Sequence, residues 1–177
     1  GWTRDLARGL APVDLDQEEG LASALKQLAE SSSELYGAPC RFESSGDVHF
    51  RNPSVAIHLY RIAQEALNNA VKHANCRNVV VRLMRRASEI TISIEDDGKG
   101  FDPHSVQTGG MGLRIMRYRA KMINGKLDVR SRQGGGTVVT CSCNLRPVPI
   151  DKELLYDRRN QTIGNENSQS PSPARRR

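Results

Sequence analysis

Several things are scarce in this sequence. No apolar run approaches the ~20 residues that a helix needs to cross a bilayer. Aromatic residues are 5% of the 177. With so few rings, and with body cations interleaved with acids, no broad nucleic-acid surface is expected. The four cysteines, Cys40, Cys76, Cys141 and Cys143, include no Cys-x-x-Cys pair. That excludes the usual zinc and dithiol frameworks and fits a reducing, cytosolic setting. No glycine loop is followed by Gly-Lys-Ser/Thr, so there is no P-loop. There is no internal repeat and no signal peptide, and the first residue is Gly1. The expectation is a piece cut from a larger protein.

What is present is one domain's worth of patterned sequence and a polar end. From Arg146 onward lie 7 of the basic and 4 of the acidic residues, which is half of the net charge of +6. Leu6, Leu10, Val13 and Leu15 among charges read as the end of an upstream helical segment and a linker, over 1–16. Residues 17–36 carry Leu21, Ala24, Leu25, Leu28 and Leu35 at helical spacing, with acids in the first turn and Gly37 as a stop. Cys40 to Glu43 alternate as a short strand, and Gly46-Asp47 is a turn. Asn52 and Pro53 form an N-cap and first-turn pair that starts a long central helix.

Two alternating runs around Val79–Met84 and Ile90–Glu95, joined by Arg86-Ala87-Ser88, predict an antiparallel hairpin. A helix is expected from Met111 to Ile123, closed by Asn124-Gly125. Strands follow over Lys126–Arg132 and Thr137–Leu145, the latter placing Cys141 and Cys143 on one face as small core residues. Pro147 and Pro149 end the pattern. The domain is therefore expected over 17–147, with a polar, disordered tail over 148–177. The element order predicts a two-layer α/β sandwich, a mixed sheet covered on one face by helices.

Four elements carry chemical potential. On the central helix Glu65, Asn69 and Lys72 stand at i, i+4 and i+7, opposite the apolar side made by Leu59, Ile62, Ala63, Ala66 and Ala70. A carboxylate, a carboxamide and an ammonium in one row suit a hydrated metal and a phosphate chain; a solvated face is the bland alternative. Asp96-x-Gly98-x-Gly100 sets a carboxylate at a strand end, able to accept from an exocyclic amino group. Its glycines let backbone pass close to a flat ring, although Asp-Gly is also a common turn pair. Gly109-Gly110-Met111-Gly112-Leu113 precedes a helix whose free N–H groups suit phosphate. Gly136-Thr137 puts a hydroxyl at a strand start.

In order and approximate spacing these four elements resemble the ATP-binding domain shared by sensor histidine kinases, gyrase-type topoisomerases and related ATPases. QEALNNAVKHA resembles the N box, DDGKGF and GGMGL the two glycine boxes, and GGGT the closing Gly-Thr motif. RIAQEALNNAVKHA and the short loop before GGMGLRIMRYRA look most like the sensor kinases that partner with helix-turn-helix response regulators. The similarity covers about Leu6 to Leu145. It implies a Bergerat-type fold with a mostly antiparallel sheet. It also implies that Asp96 accepts from the adenine amino group, that Gly98 and Gly100 shape the adenine pocket, and that Thr137 supports it through water. Asn69 would ligate Mg²⁺ with Glu65 beside it, and Lys72 would approach phosphate. His73 would lie near the sugar or base, and Gly110 and Gly112 would bracket the lid. Asn68, Phe101, Met111 and Leu113 complete the implied ATP-contacting set.

The implied partners are the protein's own upstream dimerisation helices, in a full-length homodimer, and a response-regulator receiver domain. The implied setting is a bacterial phosphorelay in the cytoplasm, with the full-length protein either soluble or membrane-anchored. The implied departure is that none of His49, His58, His73 and His104 matches the family's phosphoacceptor motif. Rival readings are an anti-sigma-type serine kinase, an ATP-hydrolysing conformational switch and a non-catalytic nucleotide-sensing domain.

Overall fold

The central helix is built around small residues. In the computed structural model, which describes residues 20–48, 52–100 and 110–145, this helix, α2, runs Pro53–His73. The Asn52 side chain accepts from the Ser54 N–H at 3.0 Å, and Pro53 occupies the first turn, as the sequence predicts. Half of its buried positions are alanine: Ala56, Ala63, Ala66 and Ala70 beside Leu59, Tyr60, Ile62 and Leu67. Alanine costs no side-chain entropy and lets the helix axis lie close to its neighbours.

Before it come α1, Gly20–Tyr36, and β1, Cys40–Ser45. α1 buries Leu21, Ala24, Leu25, Ala29 and Ser32, a helical stripe. It stops where Gly37, at φ 68°, donates to the Ser33 carbonyl at 3.0 Å. The acids expected in its first turn, Glu18 and Glu19, lie outside the described residues, as do 1–16 and the tail. After α2 come β2 (Val79–Arg86), β3 (Glu89–Asp96), α3 (Met111–Met122), β4 (Lys126–Ser131) and β5 (Thr137–Asn144). Ala87, at φ 53°, makes the sharp bend of the β2–β3 hairpin.

The five strands form one sheet in the order β1-β2-β3-β5-β4. β1 pairs with β2 in parallel and all other neighbours are antiparallel. The parallel pair follows from connectivity, because α2 is the crossover between its strands. β1 is longer than the alternation alone indicates, since Ser44 and Ser45 continue the ladder opposite Leu83 and Met84. β4 stops one residue short of Arg132, and β5 one short of Leu145.

One sheet face is apolar. Val79, Val81, Leu83, Ile90, Ile92, Ile94, Val139, Cys141 and Cys143 are buried with the inward stripes of the helices in one core. Burial pushes the Cys141 thiol up to about 12 and the Cys143 thiol to about 11, so both act as small apolar side chains. The other face is polar, with Arg82, Glu95, Thr140 and Ser142 at alternate positions.

Truncating the core at α2 tests this packing. Leu59 is fully buried and Leu35 is 64% exposed. Leu59→Ala is expected to cost about 2–5 kcal/mol in urea unfolding, against less than about 0.5 kcal/mol for Leu35→Ala.

Candidate nucleotide site

Two adjacent carboxylates at the end of β3 face different ways, because successive strand residues alternate. Asp96 is buried, 4% exposed. Its Oδ1 accepts from the Gly98 N–H at 2.9 Å, which curls the loop around the carboxylate. Asp97 is exposed and serves the loop's outer side. Its Oδ1 accepts from the Arg77 and Asn78 N–H groups at 2.7 and 2.9 Å, and its Oδ2 from Asn78 Nδ2 at 2.9 Å. The Asn78 side chain and then its backbone N–H hold the Asp97 carboxyl down at about 2.

Gly98 sits against the end of α2. A β-carbon there would collide with the Ala74 carbonyl oxygen and lie 2.6 Å from Ala74 Cβ. The Lys99 N–H donates to that same carbonyl at 2.8 Å. The close approach therefore requires glycine at 98. Opposite stands the β4–β5 turn, with Gly134, Gly135 and Gly136 all at positive φ. Gly136 abuts the Asp96 carbonyl, and a β-carbon on it would lie 3.1 Å from Asp97 Cα. Gly100, at φ 75°, would meet the Gly136 carbonyl at 3.2 Å if it carried a β-carbon. The β3–β5 register pairs Glu95 with Val138; one step further sets Thr137 across from Asp96.

The second cluster joins α2 to the start of α3. Glu65, Asn68 and Asn69 are half-buried, while Lys72 and His73 are exposed on the last turn. Gly112 lies against this row. A β-carbon there would clash with Glu65 Oε1 and approach Asn69 Nδ2 to 3.5 Å. The α3 N-cap, Gly110, gives no side-chain cap hydrogen bond, and its carbonyl accepts from the Leu113 and Arg114 N–H groups at 3.1 and 3.4 Å. The positive end of a helix started in this way suits an anion. Met111 beside it is 79% exposed and Leu113 half-buried. Phe101 and the loop over 101–109 lie outside the described residues.

The structure thus joins Glu65, Asn69 and Gly112 in one cluster, and Asp96, Gly98, Gly100 and the Gly136-Thr137 turn in another, with Ala74 linking the two. Sequence reasoning missed Ala74, and it missed Asp97 as a brace; the Asp-Asp doublet at a strand end was the available signal. The donor set fits Mg²⁺ held partly by phosphate. Glu65 and Asn69 offer hard oxygens, and no group of three or more His, Cys, Asp or Glu forms a cage among the described residues. Mg²⁺ typically takes one or two protein oxygens and keeps waters and phosphates for the rest.

A fold of this kind, with a glycine-bounded carboxylate at one end and a polar helix row at the other, defines a class of nucleotide-binding domain. The family described as histidine kinase-, DNA gyrase B-, and HSP90-like ATPase matches residues 54–147, and the chain belongs to it. The nitrate/nitrite sensor protein NarX of Escherichia coli K12 is 34% identical over 122 residues, 69% of this chain and 20% of that protein. The signal transduction histidine-protein kinase/phosphatase DegS of Brevibacillus brevis is 34% identical over 76% of this chain and 33% of its own length. The chain therefore spans only a fifth to a third of these relatives. Among solved structures, the histidine kinase domain of the Erythrobacter litoralis EL346 blue-light activated histidine kinase superposes with TM-score 0.59 at 25% identity, covering 71% of this chain and 65% of that one. The ATP-binding domain of PrrB from Mycobacterium tuberculosis shares the fold, with TM-score 0.62 at 19% identity over 72% of this chain and 95% of its own.

Asp97 gives a pH test. Its folded value, about 2, lies below its ordinary 3.8. Its contribution is therefore present above about pH 4 and is lost as pH falls through about 2. Asp97→Ala should lower the thermal midpoint at pH 7 by about 4 °C, and the gap from the parent should close on titrating from pH 4 towards 2.

Proposed function

We propose that this chain is the ATP-binding catalytic domain of a two-component sensor histidine kinase, supplying Mg-ATP for phosphoryl transfer to a histidine on separate dimerisation helices. The observation that supports it best is Gly112 seated on Glu65 and Asn69. That contact sets the N–H-rich start of α3 beside the polar row of α2, at one end of a site whose other end holds the buried Asp96.

In this reading the adenine amino group donates to Asp96, and the backbone of Gly98 and Gly100 flanks the ring. Thr137 supports that end through water. Asn69 offers its carboxamide oxygen to the metal, with Glu65 orienting water beside it. Lys72 meets phosphate oxygens, the Gly110–Gly112 backbone receives the phosphate chain, and His73 borders the sugar. Asn68, Met111 and Leu113 complete the lining among the described residues. Mg²⁺ held at Asn69 would supply neutralisation of the charge that develops on the phosphates. Otherwise the domain works by positioning. A ring nitrogen of the acceptor histidine forms the new P–N bond as the bond to the ADP oxygen breaks. The phosphoryl group then passes to a receiver aspartate of a response regulator, in the cytoplasm.

Among the described residues, His58 is half-buried, with a buried Nδ1, and His73 lies on the nucleotide helix itself, which supports an acceptor on the upstream helices. α3 offers those helices a surface. Met111, Ile115, Tyr118 and Met122 are 79, 38, 64 and 55% exposed at i, i+4, i+7 and i+11. The helix has four cations, Arg114, Arg117, Arg119 and Lys121, and no acid. Like charge disfavours self-pairing of this face; it suits an amphipathic helix with flanking carboxylates.

Mixing this chain with separately produced dimerisation helices and γ-labelled ATP should give an acid-labile phosphohistidine on the helices and none on the chain alone. Label on serine would instead indicate a serine kinase, and steady ATP hydrolysis without label a conformational switch. Tyr118→Glu should cut transfer about ten-fold without changing ATP affinity. Asp96→Ala should remove calorimetrically measurable ATP binding with the circular dichroism spectrum intact, because the buried adenine amino group loses its acceptor. Asn69→Ala should chiefly remove the Mg²⁺ dependence of binding.

A further inference from the structure

The wall that closes the Asp96 end is made of backbone. Gly135 and Gly136 pack on the carbonyls of Gly98 and Asp96, and neither has a side chain to hold it there. Three successive glycines at positive φ (91, 105 and 98°) also have unusually many unfolded conformations to lose. Something outside the turn must fix its position.

Arg132 does so from three directions. Its N–H donates to the Gly136 carbonyl at 2.9 Å, and its own carbonyl accepts from the Gly135 N–H at 3.2 Å. Its guanidinium pairs with Glu95 Oε1 at 3.0 Å. Glu95 immediately precedes Asp96 on β3 and points to the opposite, polar sheet face. Its other oxygen is held by Arg82 at 2.6 Å, and Arg82 is held in turn by Glu43 of β1 at 2.8 Å. Glu43 and Arg82 are direct cross-strand partners, and Arg82 reaches Glu95 on the diagonal. A chain of four charges thus runs across the back of the sheet from β1 to the glycine turn.

We infer that Arg132 and Glu95 are positioning residues for nucleotide binding: from the far side of the sheet they set the glycine turn against the Asp96 loop, and so the shape of the adenine pocket. The inference rests on the reading that Asp96 holds adenine. Arg132 is half-exposed, with its side chain at 49%, so the ion pair is screened by water and the effect is moderate. Breaking it leaves the two backbone bonds but frees the Arg132 end of the turn from β3, so the turn loosens and adenine binding must order the wall again.

The test is calorimetric titration of the full chain with Mg-ATP and Mg-ADP, with thermal unfolding measured without nucleotide. Arg132→Gln should weaken both nucleotides about three- to five-fold, with the unfolding midpoint moved by less than about 2 °C. Arg132→Lys, which keeps the charge and the backbone bonds, should recover most of the loss. Arg130→Gln is the control. Arg130 is paired with Asp128 on the same strand, and its loss should leave both affinities unchanged. Glu95→Gln should reproduce Arg132→Gln. If Arg132→Gln and Glu95→Gln both bind as the parent does, or if Arg130→Gln loses as much as Arg132→Gln, the inference is overturned while the nucleotide site stands. A parent chain that binds neither nucleotide overturns the underlying reading as well.

Discussion

The close approach of Ala74 to Gly98 is the constraint on which the rest depends. Ala74 is the C-cap of α2, its N–H donating to the Ala70 carbonyl at 3.1 Å; its own carbonyl leaves no room for a side chain at 98 and accepts from the Lys99 N–H at 2.8 Å. One backbone contact therefore fixes the end of the long helix against the end of β3. The polar row of α2 and the buried carboxylate of β3 are separate features of the sequence, and this contact turns them into parts of one site. An alanine at 98 would push the two elements apart, and no rotamer change relieves a clash with backbone.

Around that contact the chain divides its acids by role. Asp96 points inward, is buried, and accepts from the Gly98 N–H; in the proposed reading it also meets adenine. Asp97 points outward and braces the Arg77-Asn78 segment with three hydrogen bonds. Glu95, one residue earlier, faces the far side of the sheet and joins the ion-pair chain. Three consecutive carboxylates thus serve a structural brace, the proposed binding site and a far-side anchor. The strand's alternation and the loop's first bend separate them.

Much of this was legible in the sequence. The helix start at Asn52-Pro53, the β2–β3 hairpin and the inward-facing Cys141 and Cys143 follow from local chemistry and period. Family membership rested on four motifs in order, each weak alone. The contacts between motifs were not legible. Nothing in GGGT says that its glycines press on the Asp96 loop, because that depends on β5 pairing with β3 and β4 lying at the sheet edge. The parallel β1–β2 pair and the two extra residues of β1 likewise depend on long-range pairing. The tie of Gly112 to Glu65 and Asn69 needs the antiparallel packing of α3 on α2, which no local pattern specifies.

The central claim is that the pocket ending at Asp96 reads adenine, and purine selectivity tests it most directly. A carboxylate accepts from the amino group at adenine C6 and repels the carbonyl oxygen that guanine carries there. Calorimetric titration of the unmodified chain with Mg-ATP and with Mg-GTP should show saturable binding of ATP and at least about a hundred-fold weaker binding of GTP. Equal affinity for the two nucleotides would contradict the account.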